Sequence, residues 1–357
     1  MRETAGFMAK TRLLGVCRYA TTRLMWEVVN HTPFKAERGF VRDLNGAEIS
    51  LVAVRGTFTF GQAGSLQIAE EQSAVCRVPE YMGEPGRSSL RCDHDFVRTK
   101  LRTDVLVHGY AYAAPSCPVS HVDVSINVGP VCKRLRIWGD RTWKSSVFGL
   151  RPDAPKPFER MPITYERAYG GSAPASDSRD MCQTTHNPIG LGFAPSHGQA
   201  VPNVEYPDHP VGSSGWKQRP AGFGPIPPDW SPRRELAGTF NAAWEHSRMP
   251  LLPLDFQEAH FQCAPTDQQS PGFLRGGEEV LLVGLTPDGS CGFRLPRVTL
   301  GFRTRIDGGT VDHRADLHTV LLEPEARRVT LVWQTALPCH HSLYGLERTT
   351  VYEKVHV

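Results

Sequence analysis

From Trp26 to about Trp143, apolar and polar residues alternate in short runs with the two-residue period of a strand. Glu48–Phe60 (EISLVAVRGTFTF) joins that alternation to β-branched and aromatic residues, and reads as a strand or a strand pair. Asp104–Ala113 sets Val105, Val107 and Gly109 against Leu106, His108 and Tyr110. Val119–Val128 and Val131–Trp138 flank Gly129-Pro130, a hairpin signal. In the first of these runs Val122, Val124, Ile126 and Val128 share one face, while Asp123, Ser125 and Asn127 share the other. That is the pattern of a half-buried antiparallel strand. Strands return at Glu278, where Val280–Leu285 leads through the turn Thr286-Pro287-Asp288-Gly289 into Cys291–Leu295. Val298–Thr304 follows, then Leu317–Leu322 and Arg328–Gln334 around a turn at Glu323–Arg327. Thr349–Val355 alternates as a last edge strand. No repeat recurs at a fixed period.

The middle of the chain breaks this pattern. Residues 151–271 hold 19 of the 29 prolines. In 220–233 (PAGFGPIPPDWSPR) five of fourteen residues are proline and two are glycine. Proline fixes φ, removes a donor and drives the preceding residue to extended geometry, so neither a helix interior nor a central strand can hold this stretch. Phe223, Ile226 and Trp230 are nevertheless large and apolar, which points to a rigid path of backbone pinned by aromatic anchors. The alternative is a disordered proline-rich linker. Tyr165, Tyr169, Phe193, Tyr206, Trp216, Phe240, Trp244, Phe256 and Phe261 extend the wrapping argument along the whole segment. One helix is expected at Asn241–Met249, with Thr239 as N-cap and Pro250 beyond its end. Asp255 and Glu258 have the spacing of a capping box for a second short turn. Residues 1–24 lack periodicity and read as a flexible extension.

The expected fold is therefore mainly β. Antiparallel sheets in a sandwich-like arrangement come from regions 25–150 and 276–357. The proline- and glycine-rich segment 151–275 wraps them, with one or two short helices, and 25–357 forms one integrated unit.

Composition narrows the function. The net charge of +3 is small for 357 residues, and no Lys/Arg run appears, so nucleic acid is not the expected partner. No apolar run approaches the roughly eighteen residues of a membrane span. Leu13–Cys17 is too short for the apolar core of a signal peptide. The nine cysteines form no C-x-x-C pair, which suits a reducing compartment, and the expected location is the cytoplasm. Cys132, inside a strand-like run, reads as a small buried hydrophobe.

Chemistry is sparse in the sequence. Asp93-His94-Asp95 has metal-ligand residue types, but neighbours on an extended chain point to opposite faces, and a solvated loop is expected. Cys339, His340 and His341, with His313 and His318 nearby in sequence, fall short of zinc-ligand spacing. There is no G-x-S-x-G, Walker or H-E-x-x-H motif. Gly170-Gly171 and Gly190-x-Gly192 read as tight turns. Glu159, Glu166, Asp229 and Glu235 could serve a glycosidase, which needs two facing carboxylates, but sequence does not pair them. No catalytic residue, metal or cofactor is expected.

A series of phrases carries a resemblance. In order they are Tyr165-Glu-Arg-Ala-Tyr-Gly-Gly, Asn187-Pro-Ile-Gly-Leu-Gly-Phe, Val201-Pro-Asn-Val-Glu-Tyr-Pro, Pro220–Arg233 and Gly238-Thr-Phe-Asn-Ala-Ala-Trp. Pro250-Leu-Leu-Pro-Leu-Asp-Phe, Ala264-Pro-Thr-Asp-Gln-Gln, Leu274-Arg-Gly-Gly-Glu-Glu-Val and Phe293-Arg-Leu-Pro continue it. Trp26–Phe34 and Lys100–Gly109 add N-terminal matches. Nearly everything after Met25 thus resembles the bacterial family filed as domain of unknown function two-one-six-nine, whose members occur with type VI secretion genes. The chain departs from it at Asn241, where the family tends to have Asp, and at Leu317-His318-Thr319 and Trp333-Gln334, where it tends toward Asp-Thr and Trp-Arg.

The resemblance implies a cytoplasmic adaptor or chaperone. It would help load an effector toxin onto the secretion spike, VgrG, or its PAAR tip, and it brings no catalytic residues with it. Partner-binding residues expected from residue type are Trp230 with Arg233 and Arg234, which have the aromatic-plus-arginine character of interface anchors, and Asp267, Gln268 and Gln269. Both groups also suit structural roles, as an anchor of the wrapped loop and as a side-chain-to-backbone turn. The rival functions are a hydrolase acting on carbohydrate or peptidoglycan and a structural component of the secretion apparatus.

Overall fold

The computed structural model describes residues 26–61, 64–174, 181–211, 218–339 and 343–354. The extension expected at 1–24 lies outside the described residues, as do Trp216, His340 and His341. The described chain is mainly β, with two short helices, Arg233–Leu236 and Ala242–Ser247. None of its helices is long and apolar enough to cross a membrane.

Three sheets organise it. The central sheet runs Lys35–Arg42, Glu48–Phe60, Arg328–Pro338, Asp316–Glu323, Asp104–Val107, with Leu66–Ile68 also paired to Glu48–Phe60. Its pairs are antiparallel except the last, where Asp104–Val107 runs parallel to Asp316–Glu323. A second sheet orders Val204–Glu205, Val131–Trp138, His121–Val128, Glu279–Val283 and Ser290–Arg294, antiparallel throughout. The third orders Glu27–Asn30, Leu346–Glu353, Leu300–Ile306 and Gly309–Arg314.

Two strand expectations change here. The last strand is no edge: Leu346–Glu353 lies between Glu27–Asn30, which it joins in parallel, and Leu300–Ile306. Asp104–Ala113 breaks at His108-Gly109, and Tyr110–Tyr112 turns away to pair with Arg160–Pro162.

The alternation assigns each face of the central sheet. Val52, Val54, Phe58, Phe60, Leu331, Trp333, Val320 and Val105 enter one core cluster with Ile126 and Phe293 of the second sheet and Phe302 and Val351 of the third. Phe60 stacks on Phe293 with centroids 4.6 Å apart, and Trp26 Nε1 donates to Thr349 Oγ1 at 2.9 Å. Each such side chain, removed from water, contributes on the order of 1.5–3 kcal/mol. The opposite face is also buried, yet it carries Arg55, Thr57, Asp104 and Gln334 beside Val332, Leu106 and Leu321. A second, small cluster there joins Leu106 and Leu321 to Cys263 and Ala264.

The proline-rich segment completes this core rather than linking parts of it. Phe223 and Trp230 belong to the main cluster, and Trp230 meets Tyr165 edge-on at 5.6 Å. Val107 N donates to Phe223 O at 3.1 Å, so the segment continues the sheet past its outermost strand. Gly170 and Gly190 mark a close approach of two loops rather than simple turns. A Cβ on Gly170 would lie 2.2 Å from Asn187 O, and one on Gly190 2.4 Å from Asn187 Nδ2. Phe240 departs from the wrapping expectation and stands exposed.

The helix is Ala242–Ser247, and its N-cap is Asn241, whose side chain accepts from Trp244 N at 3.0 Å. Thr239 is not the cap because Asp255 takes both its N–H, at 3.0 Å, and its hydroxyl, at 2.7 Å. That engagement also removes Asp255 from a capping box, and the 3₁₀ turn Glu258–Phe261 starts at Gln257 without a side-chain cap. Cys132 faces solvent. In Val131–Trp138 the inward positions are Val131, Lys133, Leu135 and Ile137.

Candidate functional site

The inward lysine is the first polar node. Lys133 Nζ donates to Gly222 O at 2.7 Å, Gln268 Oε1 at 2.8 Å and Asp267 Oδ1 at 2.9 Å. Gln268 then donates from Nε2 to Val105 O at 2.7 Å and Phe223 O at 2.9 Å. One amide thus closes the free edge of the central sheet against the proline-rich path. Burial pulls the Lys133 ammonium down to about 8, with Asp267 opposing the shift. Asp267 also accepts from Tyr206 OH at 2.9 Å.

A second node lies on the polar face of the central sheet. Lys100 Nζ donates to Asp104 Oδ2 at 2.6 Å and Thr319 Oγ1 at 3.1 Å. Asp104, fully buried, also accepts from Cys263 N at 2.9 Å and Gln262 Nε2 at 2.8 Å. Arg55 reaches Asp95 at 3.5 Å, Ala74 O at 3.0 Å and Cys92 Sγ at 3.1 Å. Arg233 Nη2 meets Asp93 Oδ2 at 2.8 Å, and its other nitrogens donate to Ile226 O at 2.6 Å and His260 O at 2.8 Å. Asp93 and Asp95 are therefore not in a solvated loop. They are buried because two arginines distant in sequence neutralise them. Burial raises Asp95, whereas for Asp93 burial is the largest single effect but Arg233, His94, Lys100 and the His94 N–H together outweigh it, and the carboxyl is held below its usual range.

The cavity among these groups has about 20 Å³, room for a single water. Burial pushes the Cys263 thiol up and the His318 imidazole down to about 3, so at neutral pH they stand as thiol and neutral ring. Among the described residues no group of three or more His, Cys, Asp or Glu is arranged to hold a metal ion. His313 bonds Thr304 and Thr335 hydroxyls, and His318 stacks on Phe273. The chemistry on view in this seam is adhesion: charges clamp loop 93–95 and segment 262–268 onto the sheet.

The residues expected to bind a partner separate accordingly. Trp230, Arg233 and Gln268 are buried and hold the fold together. Gln269 is half-buried and donates to Ala264 O at 2.9 Å, Asp267 is partly exposed, and Arg234 is exposed. Arg55, Lys100, Asp104 and Lys133 were missed. Part of their signal was present, since Lys133 shares the alternating register of Val131, Leu135 and Ile137, and Arg55 interrupts the apolar run Leu51–Val54. Gln334 bonds both backbone groups of Val97, and Asn241 caps the helix.

The accessible feature is a groove of about 500 Å³. Phe40 and Val41 form one wall, at the end of the outermost strand of the central sheet, and Phe96, Pro250, Leu251, Leu252 and Phe261 form an apolar wall facing it; Arg42, Asp43, Glu48, His94 and Arg98 line the groove between them. Phe40 is 69% exposed, and Met249 and Leu254, flanking the second wall in sequence, are 61% and 77% exposed.

Residues 45–334 match the family described as "Uncharacterized protein conserved in bacteria (DUF2169)". The chain belongs to this family. The match takes in the charge seam and one wall of the groove; the strand Lys35–Arg42 precedes it. No curated protein and no solved structure matches the chain.

Proposed function

We propose that this DUF2169 protein is a non-catalytic adaptor that holds a type VI secretion effector toxin in the cytoplasm and helps load it onto the VgrG/PAAR spike. The observation that carries the reading is an open groove, lined by apolar and charged side chains, beside a strand paired on one side only among the described residues, a surface suited to holding polypeptide. The ordered series of motifs from Tyr165 to Pro296, resembling a family found with type VI secretion genes, supports the same reading. A client held for delivery must be released, so the interface is expected to bury on the order of 1,000–2,000 Å². A net charge of +3 gives little long-range steering, which leaves affinity to a few anchors.

The direct test is recovery of partners with a tagged full chain from native cells. An effector toxin or spike component is expected. Deleting the gene lowers secretion of one neighbouring toxin while the secretion tube still fires, and Glu166→Gln or Asp229→Asn restores secretion as well as the natural chain. Recovery of neither partner, together with a hydrolytic turnover that vanishes in one of these amide variants, would establish the hydrolase reading instead.

A further inference from the structure

The strand Lys35–Arg42 is hydrogen-bonded on one side only among the described residues. Such an edge presents a row of free N–H and C=O groups, ready to pair with another extended chain. Consecutive residues of a strand point to opposite faces, yet both Phe40 and Val41 line the groove. The groove therefore opens around the edge, where an added strand would lie.

Charge says what that strand looks like. Arg38, Phe40 and Arg42 share one face, with Arg42 exposed and Arg38 beside the Trp26 ring. The strand itself carries Lys35, Arg38 and Arg42 against Glu37 alone; around it Asp43 and Glu48 line the groove, and Glu48 stands directly across from Arg42 on the neighbouring strand. Glu37 pairs with Arg77, Asp43 accepts from Asn45 N and Ala47 N, and Glu48 accepts from Leu343 N. On the other face Phe96 packs over Gly39, leaving no room there for a Cβ, and next to it Val41 faces the apolar wall. A second copy of the same edge, paired antiparallel about Phe40 where the groove opens, would set Arg38 against Arg42, and like charges directly opposite each other on paired strands repel.

We infer that the Lys35–Arg42 edge is a docking site for an extended strand of a client protein that alternates acidic with apolar residues. The acids lie opposite Arg38 and Arg42, and the apolar side chains enter the groove. This takes the adaptor reading as the source of the strand, and names the client segment it recognises.

The probe is a fluorescein-labelled ten-residue peptide alternating glutamate with valine, compared with its lysine counterpart, titrated into the full chain. The glutamate peptide is expected to bind at least tenfold more tightly, to weaken as salt rises, and to protect amides of residues 35–42 from hydrogen exchange. Arg42→Glu should abolish the preference and Phe40→Asp should weaken binding at least fivefold; both positions are exposed, and unchanged melting temperatures confirm the fold. Equal binding of both peptides, or protection elsewhere, overturns the inference. So does a dimer that either variant dissolves, which makes a second copy the occupant. A tenfold gain in affinity on removing residues 1–24 overturns it too, by naming the chain's own terminus. Partner recovery separates this from the adaptor reading. If Arg42→Glu recovers the toxin undiminished, the edge is not the docking place while the adaptor reading stands. If no toxin is recovered while the peptide still protects 35–42, the edge stands and the adaptor reading falls.

Discussion

Replacing Arg233 by methionine asks whether this residue holds the fold or holds a partner. The guanidinium is 4% exposed and makes three contacts at 2.6–2.8 Å, to Asp93 and to the carbonyls of Ile226 and His260. Methionine keeps the apolar stem but leaves Asp93 buried with His94 N, at 2.9 Å, as its remaining close donor. Breaking a buried ion pair from one side costs about 3–5 kcal/mol, because the abandoned charge stays buried. Two orphaned carbonyls, at about 1–3 kcal/mol each, push the loss to the top of that range or above it. Urea unfolding at pH 7 should show the midpoint falling with little change in slope. Asp93→Asn removes the charge that methionine strands, so Arg233→Met combined with Asp93→Asn should lose less than the sum of the single variants by about 1 kcal/mol or more. The pH sign is fixed as well. Asp93 has its folded pKa below the unfolded value of about 3.9, so the pair contributes fully above that pH and is lost as pH falls through the folded value. A loss under about 1 kcal/mol for Arg233→Met, with partner recovery abolished, would refute the structural assignment and make Arg233 an interface anchor.

Trp230→Ala should destabilise by about 3–5 kcal/mol, since the indole is 3% exposed and packs on Tyr165; a shift under 1 kcal/mol in the same urea assay would contradict its burial. His318 and His313, pulled by burial to about 3 and about 4, must charge on unfolding in acid. Stability should therefore fall as pH drops below about 6.5, by up to about 1.4 kcal/mol per pH unit for each ring, and His318→Gln should flatten melting curves between pH 4 and 6.5. An unchanged slope in that variant would argue against a buried neutral ring. Lys133 carries the same sign at the alkaline end, its folded value of about 8 lying below the unfolded value of about 10.4. The unfolded chain binds the extra proton in that window, so stability rises from pH 8 to 10.4 by about 3 kcal/mol in total. Lys133→Met should lack that rise, and parallel pH profiles for the two proteins would sink the assignment.

What sequence made legible follows the range of the interactions. The hairpin around Gly129-Pro130 and the turn Thr286–Gly289 are set by neighbours a few residues apart, and both stand where alternation places them. The burial of Phe223 and Trp230 was readable because large aromatics among prolines need a surface to cover. Thr349–Val355 looked like an edge because its flanking strand, Glu27–Asn30, comes from the other end of the chain. Thr239 lost its capping role to Asp255, sixteen residues away. Asp93 and Asp95 read as loop acids because neither Arg55 nor Arg233 can be assigned to them by spacing.

The same asymmetry governs the functional surface. Motif residues such as Arg233 and Gln268 stand out in sequence because their chemistry is unusual for their surroundings. In the fold that chemistry is directed inward, to close the sheet edge at Asp104–Val107 and to neutralise buried carboxylates. Residues used so thoroughly inside the molecule have little left to offer a partner. The surface that remains available joins Phe40 and Arg42, on a strand outside the motif series, to Leu251 and Leu252 of the Pro250-Leu-Leu-Pro-Leu-Asp-Phe phrase some two hundred positions later. An exposed phenylalanine on a basic strand is unremarkable in one dimension. It becomes informative only when the sheet order shows that its strand has a single neighbour among the described residues, and when a second apolar wall faces it. Under the proposed adaptor role, the sheet order and the facing wall locate a candidate contact that residue type alone does not.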